Sequence, residues 1–206
     1  MKQDLFCLNG RVALITGATG HLGKSMSRAL CEAGCHVILN GRLKKSLESF
    51  SAELRKDGYD VSIAPFNLHN TNEIKSAINN VEKNFSRLDV IVNNAYSYPK
   101  KRGNLKKISK NDFKQSFDIS VTGPYHLIHY SRKLLEKTAL LNIGGTSVIN
   151  VASMYGVISS DPRIYGDSGF DDPPYYGSAK ASLIQLTRYT ACRLAHLKIR
   201  VNCISP

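Results

Sequence analysis

The sequence has no run of about 18 apolar residues, so nothing in it predicts a membrane-spanning helix. Its start, Met1-Lys2-Gln3-Asp4, carries an acid where a secretory leader is basic, and no apolar run follows. A cytoplasmic protein is expected. Cys7, Cys31, Cys35, Cys192 and Cys203 are an odd set without paired metal spacing. Cys31 and Cys35 can share a helix face, but no His/Cys pair elsewhere completes a site. The expectation is no bound metal and reduced, mostly buried thiols. Linkers, internal repeats and low-complexity stretches are also missing, so the 206 residues read as one domain, 1–206.

Acidic residues are few. The 28 Lys and Arg against 16 Asp and Glu leave a net charge of +12, which raises nucleic acid as a partner. Much of the excess lies in Lys100, Lys101, Arg102, Lys106, Lys107, Lys110 and Lys114. Base-stacking aromatics are sparse there, and no zinc-finger or RRM pattern appears. The stretch reads as a solvated basic loop, with an anion-attracting rim for an acidic substrate as the sharper alternative. Neither a nucleic acid nor a membrane is an expected partner.

What the sequence does have is alternation. A short apolar run at 11–16 ends in Gly17-Ala18-Thr19-Gly20-His21-Leu22-Gly23. The helical pattern of Met26, Leu30 and Ala33 follows, closed by Gly34. Strand, glycine turn and helix N-terminus in that order make a phosphate cradle. Glycines admit a pyrophosphate to the backbone, and the helix dipole favours its charge. Further strands are expected at 36–40, 61–66, 88–92, 146–151 and 199–204, and helices at 44–56, 72–85, 111–137 and 175–197, with Pro124 a possible kink. This pattern predicts an α/β fold, a doubly wound parallel sheet with helices on both faces. The one long irregular stretch, 157–174, has the length of a lid.

Where the second strand ends, a dinucleotide site needs an acid for ribose hydroxyls or a base for a 2′-phosphate. Here there is no acid, and Arg42 follows, so NADP(H) is favoured over NAD(H). Asn67-Leu68, after the third strand, can edge an adenine. Asn93-Asn94-Ala95 closes the fourth strand, and Ala152-Ser153 the fifth, at the sheet end that holds ligands. Tyr176 and Lys180 stand four residues apart on one expected helix face. An ammonium beside a phenol favours the phenolate, which suits the tyrosine for proton transfer. Tyr96-Ser97-Tyr98-Pro99-Lys100 imitates this spacing, but Pro99 speaks against a helix, so Tyr96/Lys100 reads as a decoy.

Together these residues resemble the short-chain dehydrogenase/reductase family in its single-domain form, from about residue 10 to 206. The marks are Thr16-Gly17-x-x-Gly20-x-x-Gly23, Asn93-Asn94-Ala95, Ser153, Tyr176-x-x-x-Lys180 and Arg200-Val201-Asn202-x-Ile204-x-Pro206. The resemblance implies a Rossmann-type sheet and an NAD(P)(H)-dependent oxidoreductase interconverting a carbonyl and a secondary alcohol. It implies Tyr176 as general acid/base, Ser153 as the group polarising the substrate oxygen, and Lys180 as the residue that tunes the tyrosine and bonds the nicotinamide ribose. Gly17, Thr19, Gly20, His21, Leu22 and Gly23 would hold the pyrophosphate, Asn67 and Leu68 the adenine, Asn93 and Ala95 the ribose region. A homodimer through 111–137 and 175–197 is implied, with a tetramer possible in the full-length protein.

The run Ser160-Asp161-Pro162-Arg163-Ile164-Tyr165-Gly166-Asp167-Ser168-Gly169 looks like members from bacterial flagellin-glycan and surface-sugar gene clusters. It points to a polar, sugar-like substrate whose hydroxyls Asp167, Asp171 and Asp172 could bond. Four departures stand out. His21 occupies the usual place of a glycine, a spacing nearer to nucleotide-sugar epimerases and dehydratases that retain their cofactor; such an enzyme is the alternative reading. Tyr96 replaces a glycine, putting a bulky side chain where the family keeps space. Ser120 replaces the asparagine that helps link the active-site lysine to solvent. The chain also ends at Pro206, where members continue into a substrate-covering segment and a seventh strand, so a truncated, poorly active chain is expected. A dinucleotide-binding scaffold or regulator is a further alternative.

Overall fold

The computed structural model describes residues 6–97, 108–168 and 172–206. Six parallel strands form one sheet in the order β3-β2-β1-β4-β5-β6: β1 Val12–Ile15, β2 His36–Gly41, β3 Val61–Pro65, β4 Val90–Asn93, β5 Thr146–Val151 and β6 Ile199–Ile204. The helices between them are α1 His21–Glu32, α2 Lys44–Lys56, α3 Thr71–Phe85, α4 Lys110–Phe117, α5 Gly123–Ala139 and α6 Pro174–Leu194. The expected Rossmann-type architecture is present.

The central strand shows how sequence becomes layer. All four residues of β1 are buried, because both faces of a parallel sheet are covered. Side chains alternate across it. Val12 and Leu14 enter one core with Ile74 and Ile78 of α3 and Leu127 and Leu134 of α5. Ala13 and Ile15 enter the other with Cys31 of α1 and Leu47, Phe50 and Leu54 of α2. Leu14 aligns with Ile38 of β2 on one side and Ile91 of β4 on the other. The chain winds outward from β1 through β2 to β3, then returns to place β4 on the opposite flank. A crevice opens at that reversal, beyond the carboxyl ends of β1 and β4.

Local signals set the helix ends. The Asn70 side chain accepts the backbone N–H groups of Asn72 and Glu73 at the start of α3, and Ser86 ends that helix in the left-handed region at φ 53°. Ser109 and Asp112 form a capping box on α4. The helix expected over 111–137 is interrupted by a π-helical turn at Asp118–Thr122. Pro124 supplies the reason: it has no N–H to offer the carbonyl of Ser120, so the regular i−4 ladder cannot run through.

At the amino end of the sheet, Asp89 is buried. Its carboxylate accepts from the Val12 N–H at 2.8 Å, from Arg87 Nε and Nη2 at 2.8 and 2.7 Å, and from Asn142 Nδ2 at 2.7 Å. Burial opposes its ionisation, but these donors outweigh it and hold the carboxyl below its usual range. The site lies at the opposite end.

Other expectations changed in detail. Only Cys31 and Cys35 are buried; Cys7 and Cys192 are exposed and Cys203 is intermediate. Burial pushes the Cys31 thiol up to about 11 and the Cys35 thiol to about 12. Among the described residues no group of His, Cys, Asp and Glu is placed to hold a metal ion, and no helix is long and apolar enough to cross a membrane. The long stretch before α6 contains two short 3-10 turns within Pro162–Ser168, separated by a kink at Gly166. Of the basic cluster, Lys100 to Lys107 lie outside the described residues, as do the decoy's Lys100 and also Asp171. Lys114 is committed to an ion pair with Asp118.

Candidate active site

A cleft of about 540 Å³ opens at the crevice. Gly17, Thr19, Gly20, His21, Leu22 and Gly23 line one side, Asn40, Gly41, Arg42 and Leu43 an end, and Asn67, Leu68, Ala95 and Tyr96 the other side. Thus ten of the eleven predicted cofactor residues beyond Tyr176 and Lys180 border one space, Asn93 being the exception. The volume is that of an ordinary small-molecule site.

The glycine turn is tight for steric reasons. Gly17 has φ +65°, and a Cβ there would come 2.8 Å from the Ala95 Cα. A Cβ on Gly23 would overlap the Gly17 carbonyl oxygen. Helix α1 starts at Gly20 with no side-chain cap and no acid in its first turn, so its amino end keeps N–H groups for an anion. Arg42 is exposed at the cleft edge with no acid beside it in the lining, as an arm for an added phosphate requires. These features fit a dinucleotide.

The cleft floor rests on Thr16, Asn94 and Asn40, to which the sequence assigned no role. The Thr16 hydroxyl accepts the N–H groups of Asn94 and Ala95 at 3.0 and 3.1 Å. Asn94 Nδ2 donates to the carbonyls of Thr16 and Gly17 at 3.0 and 3.2 Å. These bonds fix the turn after β4 against the turn after β1. Asn40 Nδ2 donates to the carbonyls of Ala64 and Phe66 at 2.9 and 3.1 Å, which sets the chain that leads to Asn67 and Leu68. The adjacent asparagine pair was a visible signal for the first; nothing in the sequence marked Asn40.

Asn93 departs from its expected place. It is buried, and its Nδ2 donates to Asn150 Oδ1 at 2.8 Å instead of lining the cleft. Asn150 Nδ2 in turn donates to the Thr187 hydroxyl at 2.8 Å. The side chain thus joins β4 to β5 and α6, because the strand pleat turns it into the protein.

The catalytic candidates gather where α6 begins. Lys180 is 4% exposed, and its ammonium donates to the Val151 carbonyl at 2.7 Å. Burial lowers its pKa to about 8, so it remains mostly cationic at neutral pH. The ammonium lies 5.8 Å from the Tyr176 ring centroid. Ser153 is buried just after β5, and its hydroxyl accepts the Tyr155 N–H at 3.3 Å, capping the short turn Met154–Gly156. That turn sits hard against α6. A Cβ on Gly156 would come 2.8 Å from the Lys180 carbonyl carbon, and one on Gly177 would come 2.7 Å from the Tyr155 oxygen. Paired glycines bring the Ser153 turn and the Tyr176 turn together, and neither stood out in the sequence.

Ser120 is buried in the π-helical turn, and its hydroxyl has no hydrogen-bond partner among the described residues. Tyr96, read above as half of a decoy, belongs to the site. It follows the Asn94-Ala95 turn, borders the cleft, and meets Tyr176 edge-on with ring centroids 4.9 Å apart. In the loop before α6, Asp167 is exposed and Asp172 half-buried.

Known proteins are similar to this chain in sequence and fold. The family model for short chain dehydrogenases matches residues 11–206. The 2-dehydro-3-deoxy-D-gluconate 5-dehydrogenase of Formosa agariphila is 30% identical over 208 residues, covering 100% of this chain and 72% of that protein. The solved Pseudomonas aeruginosa RhlG/NADP active-site complex is 27% identical with a TM-score of 0.86, covering 98% of this chain and 73% of that one. The solved NAD+-bound xylitol dehydrogenase is 27% identical with a TM-score of 0.82, covering 96% and 70%.

Proposed function

The chain belongs to the short-chain dehydrogenase family, and on that premise we propose that its substrate is a polar, sugar-like molecule and its preferred cofactor NADP(H). The reaction class is that of the family: an NAD(P)(H)-dependent oxidoreductase interconverting a carbonyl and a secondary alcohol. The observation that carries the reading is continuity: one cleft runs from Arg42 past the glycine turn to Tyr96, whose ring touches Tyr176.

Bound cofactor supplies or accepts the hydride. The glycine turn and the amino end of α1 would hold its pyrophosphate, and Arg42 would reach the 2′-phosphate. Asn67 and Leu68 would border the adenine. Tyr176 moves the proton at the substrate oxygen, Ser153 donates to that oxygen and orients it, and Lys180 keeps positive charge beside the phenol. Sugar-like chemistry is supported by the polar run ahead of α6 and by relatives that include a gluconate-type dehydrogenase. The alternatives of a cofactor-retaining epimerase or dehydratase and of a non-catalytic scaffold are not favoured, since the Formosa agariphila relative and the solved xylitol enzyme are dehydrogenases. We also place the protein in a reducing, cytoplasmic setting, which suits its five free thiols. For a homodimer, the exposed Tyr125 on α5 and Tyr189 on α6 supply aromatic contact surface.

The test is turnover of a panel of ketoses and keto sugar acids with NADPH and NADH, followed by cofactor absorbance. Reduction of at least one member, faster with NADPH, is expected. Binding of NADPH without turnover of any member would return the scaffold to favour.

A further inference from the structure

We propose that Tyr96 is a positioning residue of the active site, whose ring braces the Tyr176 phenol and keeps water from the Lys180 ammonium. The inference rests on the oxidoreductase reading above and adds a residue to it.

The geometry is a closed circuit. Tyr96 meets Tyr176 edge-on, centroids 4.9 Å apart and planes at 69°. The Lys180 ammonium lies 5.3 Å from the Tyr96 centroid, slightly nearer than to the Tyr176 ring at 5.8 Å. On its far side, the Tyr96 hydroxyl is 3.4 Å from the Ser116 hydroxyl. Ser116, fully buried on α4, donates to the Tyr175 carbonyl at 3.2 Å. Tyr175 precedes Tyr176, so the circuit returns to its start. The Thr16 and Asn94 bonds fix the backbone just before Tyr96. Three elements distant in sequence therefore converge on the orientation of one phenol.

The two rings meet each other on one side of the ammonium and close that side to solvent. The titratable groups facing Lys180 among the described residues are these two phenols, from the turn after β4 and from α6. β5 offers it only the Val151 carbonyl. Burial is the single cause of its lowered pKa, and no carboxylate contributes. The Tyr96 ring is part of that burial. Removing it admits water and lets the ammonium hold its proton to higher pH.

The experiment measures NADPH affinity by fluorescence titration across pH in wild type and in Tyr96→Phe, Tyr96→Leu, Tyr96→Ala, Ser116→Ala and Lys180→Met variants, with thermal unfolding of each as a fold control. Wild type is expected to lose affinity as Lys180 discharges, with an inflection near pH 8 that vanishes in Lys180→Met. In Tyr96→Ala the inflection moves up by about one unit. Tyr96→Phe keeps it in place, because the ring remains, while Ser116→Ala and Tyr96→Phe both slow turnover of a ketose by loosening the brace. Tyr96→Leu keeps part of the apolar bulk, and its inflection is expected between those of wild type and Tyr96→Ala. An unmoved inflection in folded Tyr96→Ala overturns the proposal, as does a shift in Tyr96→Phe equal to that in Tyr96→Ala. Absence of NADPH binding by wild type defeats the oxidoreductase reading itself, a different outcome.

Discussion

The Lys180 ammonium donates its 2.7 Å hydrogen bond to the carbonyl of Val151, the last residue of β5, and so ties the proposed proton-transfer helix to the sheet. The bond satisfies one of three donors on a buried cation. What remains is a charge held in a dry place for the sake of its neighbour.

That has a cost in stability that pH reveals. The folded protein releases this proton near pH 8 and the unfolded chain near 10.5, so the unfolded state binds more protons in between. This group's contribution therefore makes stability rise with pH through that window and level off on either side. Below it the buried charge costs on the order of 3 kcal/mol. Lys180→Met is expected to abolish turnover while raising stability at pH 7 by about 2 kcal/mol, measured by urea unfolding. A less stable variant at pH 7 would show that the pocket compensates the charge fully.

Tyr176→Phe removes the proposed proton carrier and little else. Turnover of any accepted ketose should fall by about 100-fold or more while NADPH affinity stays within about threefold. Hydride transfer at the wild-type rate would refute the assigned role.

On the proposed NADP(H) reading, Arg42→Ala would remove a charge-assisted bond to the 2′-phosphate alone. NADPH affinity is expected to weaken roughly 10- to 100-fold, and NADH affinity to change little. Equal losses for both cofactors would mean that Arg42 contacts a group they share.

Gly23→Ala places a Cβ on the Gly17 carbonyl oxygen, and neither backbone can yield without opening the turn. A loss of about 1–3 kcal/mol in stability is expected, with cofactor affinity falling further than stability explains. Thermal unfolding with and without NADPH separates the two effects.

Asp89→Asn tests the other end of the sheet. Burial opposes the carboxylate, but Arg87, the Val12 N–H and Asn142 outweigh it, so its folded pKa is depressed. Its contribution is present above the unfolded value and is lost as pH falls through the folded one. The variant should be about 3–5 kcal/mol less stable at pH 7, the gap closing in acid. NADPH affinity of the folded variant should be unchanged.

The fold was legible because its signals are local and repeated: each buried strand is a short apolar run, and each helix carries an apolar stripe or a cap such as Asn70. The cleft was legible from the order of strand, glycines and helix. What stayed hidden was contact between distant residues. Tyr96 looked like a decoy because its spacing to Lys100 mimicked a helical pair, whereas its partners lie on α4 and α6. Asn93 was expected at a ligand because motifs record positions, and the pleat turned its side chain to Asn150. The broken helix at Asp118–Thr122 was hinted at by Pro124, but a π-helical turn leaves no mark of its own in composition.

The Thr16 hydroxyl bonds to residues 78 and 79 positions further along the chain. Closing so long a loop costs entropy that local glycines cannot offset, so the cleft floor exists only once both halves of the sheet have docked. A fragment running from the first strand to Arg42 would carry every glycine of the turn and that arginine, yet present them to open solvent. Recognition of the dinucleotide is in this sense a readout of completed folding.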